Sequence, residues 1–138
     1  MIAIIRISGM VKVDTRVEEA LYRMRLRRKY ACVIAQEKPE VLGVMKKIRN
    51  FAAFGKINEE TLVKLIKARG RMADKSEIKD ASHLAKEIIA GKSMEKLGLK
   101  PFFRLHPARG GIKSKVHYPK GVLGDHKENI NKLIERML

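Results

Sequence analysis

The sequence predicts a small α/β (α+β) fold: a β-α-β-α-β body, a helical extension, a long basic loop and a last helix. Three observations lead there. Over residues 1–57, apolar runs of strand length alternate with amphipathic stretches of helix length. Over residues 58–99 the apolar period becomes purely helical. Residues 100–124 then carry neither a 3.6 nor a 2.0 period, and a helical pattern resumes at Asp125. The expected division is therefore a β-α-β-α-β core at 1–57, a helical extension at 58–99, a basic Gly/Pro-rich loop at 100–124 and a C-terminal helix at 125–138 docked on the body.

Residues 2–7 are a first strand, rich in isoleucine, with Gly9 just beyond. Thr15 and Glu18 have capping-box spacing, with Thr15 as the cap. Val17, Ala20, Leu21 and Met24 then recur at helical intervals, so a first helix is expected to run to about Leu26. Residues 30–35, YACVIA, form a strand apolar on both sides. Pro39 suits the first position of a second helix, whose inward stripe reads Leu42, Met45 and Ile48 with Val41 and Val44 flanking. Residues 51–57 make a third, weaker strand, with Gly55 as a bulge or bend. Two helices on one face of this sheet would close one core, and the first strand is free to lie in the middle.

Asn58 caps a helix carrying Leu62, Leu65 and Ile66, which ends at Gly70. Another helix is expected at 80–90, with Ala81, Leu84, Ala85 and Ile88 inward and Gly91 as its stop. Asp125 and Glu128 repeat the capping-box spacing. Ile130, Leu133, Ile134 and Met137 give the last helix an apolar stripe, which must dock because so short a helix is marginal alone.

Charge is the stronger functional signal. Thirty-one Lys and Arg against fifteen Asp and Glu leave +16, which implies an acidic partner, with nucleic acid first. Lysine enrichment for heat stability would come with matching Glu. No apolar run approaches the roughly 18 residues of a membrane span, and no long basic amphipathic helix suits a membrane surface. MIAIIRISG lacks the leading charge and cleavage pattern of a secretory signal. The single cysteine, Cys32, excludes an internal disulfide framework and fits a reducing cytoplasm. Its apolar neighbours make it a core thiol.

Arg23, Arg25, Arg27, Arg28 and Lys29 place five positive charges in seven positions where the first helix ends. They are either a solvated helix end or a phosphate site, and their run past the helix favours phosphate. Lys46, Lys47 and Arg49 form a second basic edge, and Lys64, Lys67, Arg69 and Arg71 a third, each balanced between the two readings. In the 100–124 segment, Arg104 and Arg109 can make paired hydrogen bonds to phosphate or base edges, with Lys113, Lys115 and Lys120 adding charge. Gly110, Gly111 and Gly121 allow close backbone approach. His106 and His117 have no Cys or acid at ligand spacing, so they read as donors to phosphate or 2′-hydroxyl groups rather than metal ligands. Phe102, Phe103 and Tyr118 can stack on unpaired bases or anchor the loop. No catalytic pair, cofactor motif or phosphate-binding Gly-rich loop appears, so an enzyme is disfavoured and no cofactor or small-molecule substrate is implied. A free RNA chaperone remains the alternative binding class.

The strings IIRISG at 4–9, LGVMKKIRN at 42–50, LHPARGG at 105–111 and HYPKGVLGDH at 117–126 carry a resemblance to a family. The chain resembles the archaeal large-subunit ribosomal protein L30 family (universal L30, related to eukaryotic L7) over nearly its whole length. The resemblance implies a three-stranded antiparallel sheet in the order 3-1-2, somewhat ferredoxin-like, backed by two helices. It also implies a non-enzymatic, ribosomal RNA-binding constituent of the large subunit, in the cytoplasm, beside neighbouring ribosomal proteins. The implied location is near the 5S RNA and domain II of the large ribosomal RNA. Arg25, Arg27, Arg28, Lys29, Lys46, Lys47 and Arg49 match the basic positions of the family core. Arg104, His106, Arg109, Gly110, Gly111, His117, Lys120 and Gly121 match its archaeal extension.

Overall fold

A computed structural model describes residues 1–9, 11–112 and 114–138. Its strands are β1 (Ile2–Arg6), β2 (Ala31–Ala35), β3 (Ala52–Lys56), β4 (Phe103–Arg104) and β5 (Gly124–Asp125). Its helices are α1 (Thr15–Arg23), α2 (Pro39–Ile48), α3 (Glu59–Arg69), α4 (Ala81–Ile89) and α5 (Ile130–Met137). The expected mixed class is present, but the sheet is larger than the three-stranded antiparallel one anticipated. It has five strands in the order β4-β2-β1-β3-β5. β1 pairs antiparallel with β2 and β3, β4 pairs antiparallel with β2, and β5 pairs parallel with β3. Both added strands come from the ends of the segment read as a loop. Each is two residues long, too short to leave a period in the sequence.

The sheet is buried on both faces, which the strand pattern explains. Ala3 and Ile5 of β1 and Cys32 and Ile34 of β2 join a core with residues of α3, α4 and α5. Ile2 and Ile4, with Ala31 and Val33, join a separate core under α1 and α2. Alternate residues therefore serve opposite cores, giving three layers instead of the expected two. Burial without a charged partner pushes the Cys32 thiol up to about 12.

Local boundaries shift for identifiable reasons. Asp14, not Thr15, caps α1: its side chain accepts from the Arg16 N–H at 3.0 Å, one residue earlier than the capping box suggests. Leu42 is 38% exposed, and the inward stripe of α2 runs through Val41, Met45 and Ile48. Asn58 caps α3 as expected, accepting from the Thr61 N–H at 2.7 Å. Asp125 accepts from the Lys127 N–H at 2.8 Å, but Lys127 takes φ +52°, so a 3-10 turn intervenes and α5 starts at Ile130. Ile130, Leu133, Ile134 and Met137 are all buried. Gly55 is there for close approach: a Cβ would strike the Lys127 carbonyl and lie 2.8 Å from Ile130 Cβ.

Candidate nucleic-acid interface

The first basic cluster is built on a side chain that the sequence marks only as a break in an apolar run. Arg6, at the end of β1, is 1% exposed. Its guanidinium donates to the carbonyls of Leu26 at 2.8 Å, Arg27 at 3.0 Å, Ser8 at 3.1 Å and Gly9 at 3.3 Å. Burial lowers its pKa, and the nearby Glu18 charge opposes that shift. The chain between α1 and β2 turns tightly here, with Arg25 at φ +62° and Tyr30 at φ +65°. Leu26 is buried beneath the turn, and the Tyr30 N–H closes it on the Arg6 carbonyl at 2.7 Å. The backbone of the turn is thus tied inward to Arg6, while Arg23, Arg25, Arg27, Arg28 and Lys29 are all exposed. A fully charged residue at a strand end, surrounded by apolar neighbours, was the available signal for this role.

The sheet brings a distant part of the chain to this turn. β4 lies beside β2, pairing Ala31 with Arg104 and Cys32 with Phe103. Phe103 is 1% exposed and anchors the segment in the core. Phe102 stays half-buried and, with Arg104, lines a cleft of about 440 Å³ that also includes Arg25, Arg27 and Arg28. A second cleft, of about 200 Å³, shares Phe102 and Arg104 and adds Arg69, Arg71 and Lys100. Glu95 is the one acid lining either cleft, and it is paired with Arg25. Part of the third basic group thereby joins the first. Lys64 does not: it bonds Glu135 at 3.1 Å and Glu60 at 3.4 Å, contacts that raise its pKa, Glu135 first.

Cations also sit over aromatic rings at this end of the sheet. Arg27 lies 4.8 Å from the Tyr22 ring centre, Lys29 5.2 Å from Tyr30 and Arg104 5.6 Å from Phe102. Tyr22 is 48% exposed.

The rest of the basic segment is strapped to α5 and β3. The Arg136 guanidinium donates to the Arg109 carbonyl at 2.9 Å and the Gly111 carbonyl at 2.8 Å. Gly110 and Gly111 take φ of +78° and +76°, shaping the turn that leaves the Arg109 side chain exposed. The His106 N–H donates to the Met137 carbonyl at 2.9 Å, with its ring side exposed. His117 Nε2 is 2.9 Å from Asn50 Oδ1, which draws this turn against the end of α2, where Lys46, Lys47 and Arg49 are exposed. Those three line neither of the two clefts. The His117 ring also fills the space a Cβ on Gly124 would need, and Gly121 sits directly on the Val116 backbone. Lys115 and Lys120 are exposed, and Lys113 lies outside the described residues.

Tyr118 and His126 resolve as structural partners. Their ring centres are 4.6 Å apart, the Tyr118 hydroxyl accepts from Asn129, and His126, 6% exposed, donates to the Val122 carbonyl at 2.5 Å. Among the described residues, no cluster of three or more His, Cys, Asp or Glu could hold a metal ion. None of the described helices is long and apolar enough to cross a membrane. The chemistry on offer is cationic and aromatic, suited to phosphates and exposed bases.

No family model matches the chain. Curated relatives do. One from Archaeoglobus fulgidus is 38% identical over 99% of this chain and 99% of its own length. Another, from Desulfurococcus amylolyticus, is 39% identical over 99% of this chain and 97% of its own. A third, from Methanocella arvoryzae, is 33% identical over 99% of both. Each of the three is named large ribosomal subunit protein uL30.

Proposed function

The chain belongs to the archaeal uL30 family of large ribosomal subunit proteins, and from that membership we propose that it is a structural, non-enzymatic constituent of the large subunit in the cytoplasm. It binds and stabilises ribosomal RNA, near the 5S RNA and domain II of the large ribosomal RNA, beside neighbouring ribosomal proteins. Residues 1–57 act as the RNA-binding core, 58–99 as the helical extension, 100–124 as a second RNA-contacting stretch, and 125–138 as the element that ties this stretch to the body. The interface comprises Arg23, Arg25, Arg27, Arg28, Lys29, Lys46, Lys47 and Arg49 with Arg104, His106, Arg109, Gly110, Gly111, Lys113, Lys115, His117, Lys120 and Gly121.

The observation that carries the RNA reading is the convergence of Arg25, Arg27 and Arg28 with Arg104, from opposite ends of the chain, around one cleft. Glu95 answers Arg25, but Arg27, Arg28 and Arg104 have no acidic partner among the described residues; they repel one another, and RNA phosphates reverse that cost. Their role is to lower the repulsion between RNA strands while the sheet holds the cations in place. Crosslinking in purified large subunits, read at nucleotide resolution, tests this. Crosslinks from the 23–29 turn and the 100–121 segment to ribosomal RNA are expected. Crosslinks to protein alone would overturn the RNA role, and RNA crosslinks away from 5S and domain II would overturn the location.

A further inference from the structure

We propose that the cleft walled by Phe102 seats a single unpaired nucleotide of the bound RNA. This rests on the RNA-binding reading above and deepens it. The base takes the place over the Phe102 ring that the Arg104 guanidinium holds in the free protein, 5.6 Å from the ring centre, and the flanking phosphates meet Arg27 and Arg28 on one side and Arg69 and Arg71 on the other.

The ring's placement is the first argument. Phe102 and Phe103 are adjacent, yet Phe103 is 1% exposed and only Phe102 lines the clefts. Phe103 pairs with Cys32 and enters the core under α3, α4 and α5, while Phe102, one residue before β4, packs on the edge of the other core and keeps part of its ring in the clefts. An aromatic ring left in a basic cleft offers a sequence-tolerant stacking surface for any base.

Charge is the second argument. Two clefts meet at Phe102 and Arg104, and between them they add Arg25, Arg27, Arg28, Arg69, Arg71 and Lys100 against the one paired acid, Glu95. A protein partner would have to bring a matching acidic surface, whereas a nucleotide brings a phosphate on each side of its base. The larger cleft, about 440 Å³, is of the size that holds one small ligand. Paired bases within an A-form helix keep their faces stacked and cannot reach a recessed ring, so the occupant is a bulged or looped-out nucleotide.

The test uses the full chain with two RNA hairpins. One carries a single bulged 5-iodouridine, and the other is its fully paired counterpart. Preference for the bulged hairpin is expected at between about five- and 150-fold, the range for stacking one base. Irradiation should crosslink the bulged base to the peptide containing Phe102. Phe102→Leu should erase both signals without changing the salt slope, and Phe102→Trp should keep both, which separates lost stacking from lost folding. Equal binding of the two hairpins, or a preference that survives Phe102→Leu, overturns the nucleotide site and leaves general RNA binding standing. Failure to bind either hairpin, with no RNA crosslink in the large subunit, overturns both.

Discussion

The turn between α1 and β2 and the segment at 100–124 are similarly basic but hold their shape by different means. In the turn, one buried guanidinium, Arg6, gathers the backbone carbonyls. The turn's own cations are then left exposed for a partner. In the segment, the residues that look most like RNA contacts are partly committed to the fold. His117 bonds Asn50, Gly121 packs on Val116, and the Arg109 and Gly111 carbonyls accept from Arg136. The long cations Arg104, Arg109, Lys115 and Lys120 remain outward. Composition alone does not distinguish a glycine or histidine that meets RNA from one that lets a segment meet its own protein.

The contrast breaks most sharply at Arg6. Arg6→Met would leave the carbonyls of Leu26 and Arg27 without their donor in a dry environment. Hydrogen bonds to a charged donor are worth roughly 1.5–3 kcal/mol each, so a loss of at least about 3 kcal/mol is expected in urea unfolding. Arg6→Lys keeps the charge but cannot span four acceptors, and should recover only part of that loss. A Met variant of native stability would mean that the turn holds itself and Arg6 is incidental.

How much was legible follows the same physics. β1, β2 and β3 and the five helices were readable because each is long enough to show a period, and Asn58 and Pro39 mark helix starts by local chemistry alone. The stripe of α5 was read residue for residue. What failed to show was anything built from two residues or from a distant partner. β4 and β5 have no period; the third layer left a trace, since YACVIA is apolar on both sides, but the helices that cover the second face, α3, α4 and α5, lie far along the chain. The cations at 23–29 were evident from charge. Their meeting with Phe102, Arg104 and Arg71 was not, because that depends on β4 reaching β2 across some seventy residues. Lys64 differs from Arg71 through Glu60, four residues before it and visible in the sequence, and through Glu135 on α5, which only the fold brings near.

Gly121 tests the other half of the comparison at a smaller scale. A Cβ there would collide with the Val116 backbone, which has no flexible end to move aside. Gly121→Ala should therefore cost about 1–3 kcal/mol, in the range of overpacking. The damage should be local. The Val122 N–H, bonded to the Ser114 carbonyl at 3.1 Å, and the Leu123 N–H, bonded to Val116 at 3.2 Å, should exchange faster with solvent. Unchanged exchange at both amides would show that the turn is not held by this packing, and would return Gly121 to the RNA surface alone.

The smallest effect concerns the exposed cations and asks whether both regions meet RNA. Arg27→Ala with Arg28→Ala removes two outward charges from the turn, and Lys115→Ala with Lys120→Ala removes two from the segment. Neither pair makes an ion pair among the described residues, so stability should hold within about 0.5 kcal/mol. Each released phosphate contact lowers the dependence of log affinity on log salt by about 0.7–0.9. If both regions bind, each double variant should flatten the slope by about 1.4–1.8, and the four-fold variant by the sum, since the sites lie apart and should add. If the slope changes for Arg27 and Arg28 alone, Lys115 and Lys120 are solvated and the segment acts by delivering Phe102 and Arg104 to the turn. An unchanged slope for both pairs would remove these four cations from the interface and confine charge neutralisation to the other exposed cations of the two regions, Arg23, Lys29, Arg104 and Arg109 among them.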